Sequence, residues 1–177
     1  MKAPWLKPSE ALNRPINSNA DDAAYLVALA QPASVRRLGF HLGNIGLLIA
    51  PRAISELTDL IKVCPIPNTA TWLLGIFNLR GNLVPVFDVN MLLQLEVGTS
   101  KKRMLLILGQ GDAAGALVIE GLPVHVTLSE GDKLKSLPPL PEAIRPFTTS
   151  GYEKNGEMWF NFDHIGFFNF LATKVAI

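Results

Sequence analysis

The chain has 177 residues, of which 49% are hydrophobic and only 18% are charged, and this composition excludes a wholly disordered protein. Its 16 Lys and Arg residues are nearly balanced by 15 Asp and Glu residues, whereas most nucleic-acid binders carry a strong basic excess. The chain has one cysteine, Cys64, so an internal disulfide framework is impossible. This cysteine content is consistent with a protein of a reducing compartment.

Residues 1–36 are predicted to form an N-terminal extension, partly helical or mobile, because they are rich in proline and polar residues. Asn19 or Asp21 is suited to cap a short helix from Asp22 to Ala30. Two interpretations stay open, since the extension can pack on its own domain or dock a partner. No signal peptide and no apolar run of ~20 residues is found, so we expect a cytoplasmic protein without direct membrane insertion.

From residue 37, short runs of aliphatic residues alternate with turns, which is typical of β-strands. Residues 38–42 and 45–50 flank Gly43-Asn44 and predict a hairpin. An extended stretch follows at 54–63, and residues 68–74 are expected to form one helical turn.

A second hairpin is predicted from residues 75–80 and 83–87, with Gly81-Asn82 as its turn. Asp88 is placed to cap a short helix over residues 89–95. The polar stretch at 97–102 breaks the pattern, which suggests two subdomains.

Further strands are expected at 103–108, 115–120, 123–128 and 157–162, and Asp163 is suited to cap a final helix over residues 165–172. About ten short strands with two or three short helices predict a mainly all-β fold, either barrels or a sandwich.

No catalytic, metal-binding or cofactor-binding set emerges from the sequence. The glycines at 109, 111 and 115 follow an apolar run, but their G-x-G-x-x-x-G spacing differs from the dinucleotide motif and a strand follows, so a hairpin loop is favoured. The three histidines have no metal-ligand spacing. Cys64 has no basic neighbour and is expected to be a buried, inert thiol.

Arg80 stands out because Gly81 follows it at a hairpin tip and apolar residues surround it. Arginine is enriched at protein interfaces, where its planar fork pairs with carboxylates. An ordinary surface arginine that pairs with a nearby acid is the alternative.

The sequence resembles the CheW-like domain family of bacterial chemosensory systems. Residues 75–88, GIFNLRGNLVPVFD, match the family pattern G-h-h-N-h-R-G-x-h-h-P-h-h-D position by position. Residues 54–57 are similar to its V-x-E-I segment, residues 40–49 to its opening hairpin, and residues 115–122 to its G-h-h-V-D-x-V strand pair, with Glu120 in place of Asp.

The resemblance implies two SH3-like five-stranded β-barrels packed around a shared core. It places a CheW-like domain at residues 37–172, with the first barrel at about 37–98, the second at 99–160 and a C-terminal helix at 161–172. It implies no enzymatic activity and no cofactor.

The resemblance also implies a scaffold that couples the cytoplasmic tip of a chemoreceptor to the regulatory domain of a CheA-type histidine kinase, near the inner membrane through receptor arrays. The positions carried over as partner contacts are Ile54, Glu56, Leu57, Gly75, Asn78, Arg80 and Gly121. The length leaves no room for an ATP-binding or receiver domain, so a stand-alone adaptor is expected.

The proline-containing extension resembles the PilI-like subclass, which serves type IV pilus (twitching) systems. The alternatives are a CheW adaptor of flagellar chemotaxis, a β-barrel module that binds another helical partner, and a nucleotide-binding enzyme built on the 109–115 loop.

Overall fold

The computed structural model describes residues 34–95 and 102–176, which contain ten β-strands and two short α-helices. The strands are β1 (Val35–Leu42), β2 (Ile45–Leu48), β3 (Ser55–Asp59), β4 (Leu73–Leu79), β5 (Asn82–Phe87), β6 (Arg103–Leu108), β7 (Gly115–Glu120), β8 (Val124–Leu128), β9 (Thr148–Lys154) and β10 (Glu157–Phe162). The helices are α1 (Val89–Leu93) and α2 (His164–Ala172). The helix expected at Asp22–Ala30 lies outside the described residues, as does most of the polar break at 97–102.

The strands form two five-stranded sheets that curl into SH3-like barrels, so the predicted fold class is confirmed. One sheet has the order β8-β1-β2-β10-β9 and the other β3-β6-β7-β5-β4. β2 pairs in parallel with β10, and β5 pairs in parallel with β7. The first sheet therefore takes strands from both ends of the chain, which differs from the expected division into successive barrels at residues 37–98 and 99–160.

One apolar core is shared by the two sheets. It combines Phe40 and Phe160 from the first sheet with Leu106 and Leu117 from the second, and Phe167 of α2 fills it; all five side chains are buried. Each large side chain withdrawn from water contributes roughly 2 kcal/mol. The expected shared core is present, and it holds the sheets in one body.

The two predicted hairpins form, but one turn lies one residue away from its expected position. Gly43-Asn44 connects β1 to β2, with Leu42 opposite Ile45. In the second hairpin Leu79 pairs with Asn82, so the turn is Arg80-Gly81 and not Gly81-Asn82. Both turn residues have positive φ, 51° and 92°, as a mirror-image two-residue turn requires.

Both helices begin at the predicted aspartates. The Asp88 carboxylate accepts a hydrogen bond from the Met91 N–H at 3.4 Å, and the Asp163 carboxylate accepts one from the Gly166 N–H at 3.0 Å. The predicted helical turn at residues 68–74 is wrong, because Leu73 already begins β4 and pairs with Phe87.

A tight backbone crossing occurs where Gly75 passes Cys64. The Cys64 N–H donates to the Ile76 carbonyl at 2.8 Å, and the Ile76 N–H donates to the Cys64 carbonyl at 2.9 Å. Gly75 is buried with φ 133°, and a Cβ at this position would overlap the Cys64 carbonyl. Cys64 itself is exposed, so its predicted burial is wrong: its backbone pairs with β4 while its side chain faces solvent.

We expect Gly75→Ala to lower the free energy of unfolding by about 2 kcal/mol or more, because the added methyl group must displace a paired backbone segment in a strained conformation. Urea denaturation measures the loss. Gly156→Ala is the matched control, since φ is 80° there but a Cβ meets nothing within 4 Å. It should cost only about 1 kcal/mol. Equal losses in the two variants would show that the crossing at Cys64 is not constrained.

Candidate partner-binding site

Arg80 and Glu56 form a bidentate ion pair on the surface of the second sheet. The two guanidinium nitrogens of Arg80 donate to the two carboxylate oxygens of Glu56, each at 2.9 Å. Glu56 lies on β3 and Arg80 follows β4, and these are the two outer strands of the sheet. The pair therefore connects strands that no backbone ladder joins, and it holds the guanidinium in one orientation.

The hairpin tip is built to present Arg80 outward. The Asn78 side-chain oxygen accepts a hydrogen bond from the Gly81 N–H at 2.7 Å and thereby fixes the turn. Arg80 occupies left-handed backbone space, which disfavours residues other than Gly, Asn and Asp. Its side chain is 75% exposed although it pairs with Glu56. Backbone strain at an exposed arginine favours a functional explanation over a structural one.

A cleft of about 320 Å³ opens beside the ion pair. Its apolar lining includes the buried side chains of Val84 and Ile107 and the exposed side chain of Ile54, while Arg80 and Glu56 also line it. An apolar pocket next to an ordered arginine is suited to one anchor side chain of a partner protein.

The structure brings together four of the seven positions carried over from the family. Ile54, Glu56 and Arg80 line the cleft, and Asn78 holds the turn that carries Arg80.

The other three positions lie elsewhere. Leu57 alternates with Glu56 along β3 and packs against the shared core. Gly75 is buried at the Cys64 crossing. Gly121 follows β7, and its N–H donates to the Lys102 carbonyl at 2.8 Å, at the end of the β6–β7 hairpin away from Gly109.

The β6–β7 loop contributes residues that sequence reasoning did not assign to the site. β6 and β7 are antiparallel, and a 3₁₀ turn at Gly111–Ala113 connects them, so the expected hairpin loop is confirmed. Gly109 and Gln110 of this loop line the cleft. The sequence carried no signal for their proximity, because the neighbours that they meet are distant along the chain.

A second, more open groove of about 400 Å³ adjoins the cleft. Ile54, Gly109 and Gln110 line both cavities, and the groove continues over Ala50–Ala53 to the start of α2. Ile54 is 50% exposed on the ridge between them. His164 also lines the groove, and its burial lowers the pKa of the imidazole below 6.5.

Neither helix in residues 34–95 and 102–176 has the length and apolarity needed to traverse a bilayer. In the same ranges, no group of three or more His, Cys, Asp and Glu side chains is arranged to hold a metal ion.

The family model for the CheW-like domain matches residues 36–170. The chain is similar to Protein PilI of Pseudomonas aeruginosa, with 28% identity over 117 residues that cover 62% of each chain. It is also similar to Chemotaxis protein CheW of Helicobacter pylori, with 26% identity over 108 residues that cover 60% of this chain and 63% of the relative. The alignments therefore span less than two thirds of these curated relatives.

The crystal structure of the scaffolding protein TtCheW from Thermoanaerobacter tengcongensis has a similar fold. Its TM-score is 0.61 at 18% identity, and the match covers 76% of this chain and 87% of that one. At this identity the likeness establishes the barrel architecture.

We expect acid to weaken the fold through His164. Because burial lowers the pKa of His164 in the folded state, the unfolded chain binds a proton more readily near pH 6.5. The stabilisation by neutral His164 is present above that pH and is lost as the pH falls below it. Between about pH 7.5 and pH 5.5, the free energy of unfolding measured in urea should fall less for His164→Gln than for the wild type. An equal fall in both proteins would show that His164 is not the source of the acid sensitivity.

Proposed function

We propose that this chain, because it belongs to the CheW-like domain family, acts as a non-enzymatic adaptor between a chemoreceptor and a CheA-type histidine kinase. The observation that carries the proposal is the exposed Arg80–Glu56 pair beside an apolar cleft, built from the segments that match the family pattern. The solved structural relative is described as a scaffolding protein, and two curated relatives as chemotaxis proteins, which supports this role.

The geometry suits an adaptor because the site is organised before a partner arrives. Glu56 orients the guanidinium of Arg80, so little side-chain entropy remains to be lost on binding. The cleft takes an apolar anchor, while Arg80 retains most of its surface for a polar group on the partner. Such a surface recognises a folded helical tip or barrel edge and carries out no bond chemistry.

Gly121 extends the proposal to a second face. Gly121 lies at the opposite end of the β6–β7 hairpin from the cleft, so a partner there would not compete with one at Arg80. An adaptor needs two separate surfaces to hold two proteins at once. The receptor tip and the kinase regulatory domain are the proposed occupants, which would place the protein beside the inner membrane in receptor arrays.

The proposed output is type IV pilus twitching motility. The match to Protein PilI supports this subclass. The matches to CheW of Helicobacter pylori and Rhizobium meliloti favour the alternative, an adaptor of flagellar chemotaxis.

We expect Arg80→Glu and Glu56→Arg each to abolish co-sedimentation with receptor-containing membranes and kinase, because each change puts two like charges together at the site. The double exchange of the two residues restores the internal pair but reverses the charge order, so it should not restore assembly. Neither single change should lower the free energy of unfolding by more than about 1 kcal/mol, since the pair is exposed.

Lys133→Glu and Glu130→Arg are the matched controls. They impose the same charge changes on an exposed pair, 3.9 Å apart, that follows β8 of the other sheet. Both should assemble normally. Normal assembly of the Arg80 and Glu56 variants would contradict the proposed site, and full rescue by the exchange would show that the pair acts only within this chain.

Deletion of the gene from its bacterium separates the two outputs. We expect the deletion to abolish twitching on a surface and to leave swimming through soft agar unchanged, with the wild-type gene restoring twitching. Loss of directed swimming with normal twitching would favour the flagellar alternative.

A further inference from the structure

We propose that Arg52 makes the groove beside Ile54 selective for a partner segment in which a carboxylate stands next to an apolar side chain. The inference rests on the proposed function, because the groove continues the candidate site through Ile54, Gly109 and Gln110. Residue 52 lies between the segments that resemble the family, residues 40–49 and 54–57.

Arg52 occupies a turn position that is best suited to glycine. The Ala53 N–H donates to the Ala50 carbonyl at 3.1 Å, which closes a four-residue turn with Pro51 and Arg52 in the middle. Arg52 has φ 65°, and the proline ring holds Pro51 near −65°, so the turn is of type II. The third position of a type II turn requires positive φ and is normally Gly or Asn. An arginine at this position is strained, and the structure gives no packing reason for it.

The guanidinium of Arg52 has no partner in the described part of the chain. Among residues 34–95 and 102–176, no carboxylate forms an ion pair with it and no hydrogen bond uses it. Asp163, the residue that precedes α2, accepts a hydrogen bond from the Gly166 N–H and caps the helix. Arg52 is exposed and lines the groove. No described residue therefore neutralises this charge, and a carboxylate on a partner can pair with it.

The rest of the groove lining is uncharged. It includes Ala50, Ala53 and Ala113, together with Ile54 and Ile165, which are 50% and 56% exposed. His164 is neutral near pH 7 because its burial disfavours the protonated form. An apolar surface with one unpaired arginine complements an apolar side chain flanked by a carboxylate. Displacement of water from the groove strengthens the resulting ion pair.

Arg52→Gly separates a binding role from a structural one. Glycine fits the turn, so the variant should unfold at a higher urea concentration than the wild type. The purified kinase regulatory domain and the receptor cytoplasmic hairpin are the probes, each titrated against the fluorescently labelled chain. We expect Arg52→Gly to bind one of them about tenfold more weakly, Arg52→Glu to bind it more weakly still, and Arg52→Lys to retain part of the affinity. As the salt concentration rises, the difference in affinity between the wild type and Arg52→Gly should become smaller.

The outcomes of the inference and of the proposed function are distinguishable. If Arg52→Gly binds both probes as tightly as the wild type while Arg80→Glu fails to bind, the inference is overturned and the adaptor role stands. If Arg80→Glu also binds normally, the proposed function fails. A lower unfolding midpoint for Arg52→Gly would assign Arg52 to the fold and overturn the inference. Self-association of the free wild-type chain in sedimentation velocity, lost in Arg52→Glu, would make a second copy the occupant and would also overturn it.

Discussion

The packing of one tryptophan ring on two glycines joins the beginning and the end of the described chain. Trp159 of β10 is buried, and its ring lies so close to Gly39 of β1 and Gly46 of β2 that a Cβ at either position would come within 3 Å of it. β10 also pairs in parallel with β2, and Trp159 lies opposite Gly46 in this pairing. The first sheet depends on this close approach, because no short turn brings β2 and β10 together.

The position of the candidate site follows from that closure. Since β2 is held by β10, the chain must cross to the other sheet between residues 49 and 54, and the turn at Pro51-Arg52 makes this crossing. Ile54 then leads into β3, where Glu56 pairs with Arg80. The crossing segment therefore lines the groove, and Ile54 at its end lines both the groove and the cleft.

Local features of the fold were predictable from the sequence, whereas features that depend on distant pairing were not. Gly43-Asn44 and the caps at Asp88 and Asp163 are local devices, and the structure has them where they were expected. The turn at Arg80 was misplaced by one residue because arginine gives no signal of left-handed backbone. The exposure of Cys64 and the division of strands between the sheets follow from long-range contacts. The family resemblance named Gly75 and Gly121 without distinguishing a backbone requirement from a binding surface.

The two sheets differ in how much of the chain must exist before each can form. The second sheet uses the continuous segment from Ser55 to Glu120, whereas the first combines Val35–Leu48 with strands that end at Phe162. During synthesis, the β3–β7 barrel can close on the ribosome before β8, β9 and β10, the strands that complete the first sheet, have been made. The β1–β2 hairpin carries apolar side chains, and its own sheet is incomplete until β10 has emerged to pair with β2. During this interval the nascent chain presents an unpaired strand edge, a feature that promotes aggregation.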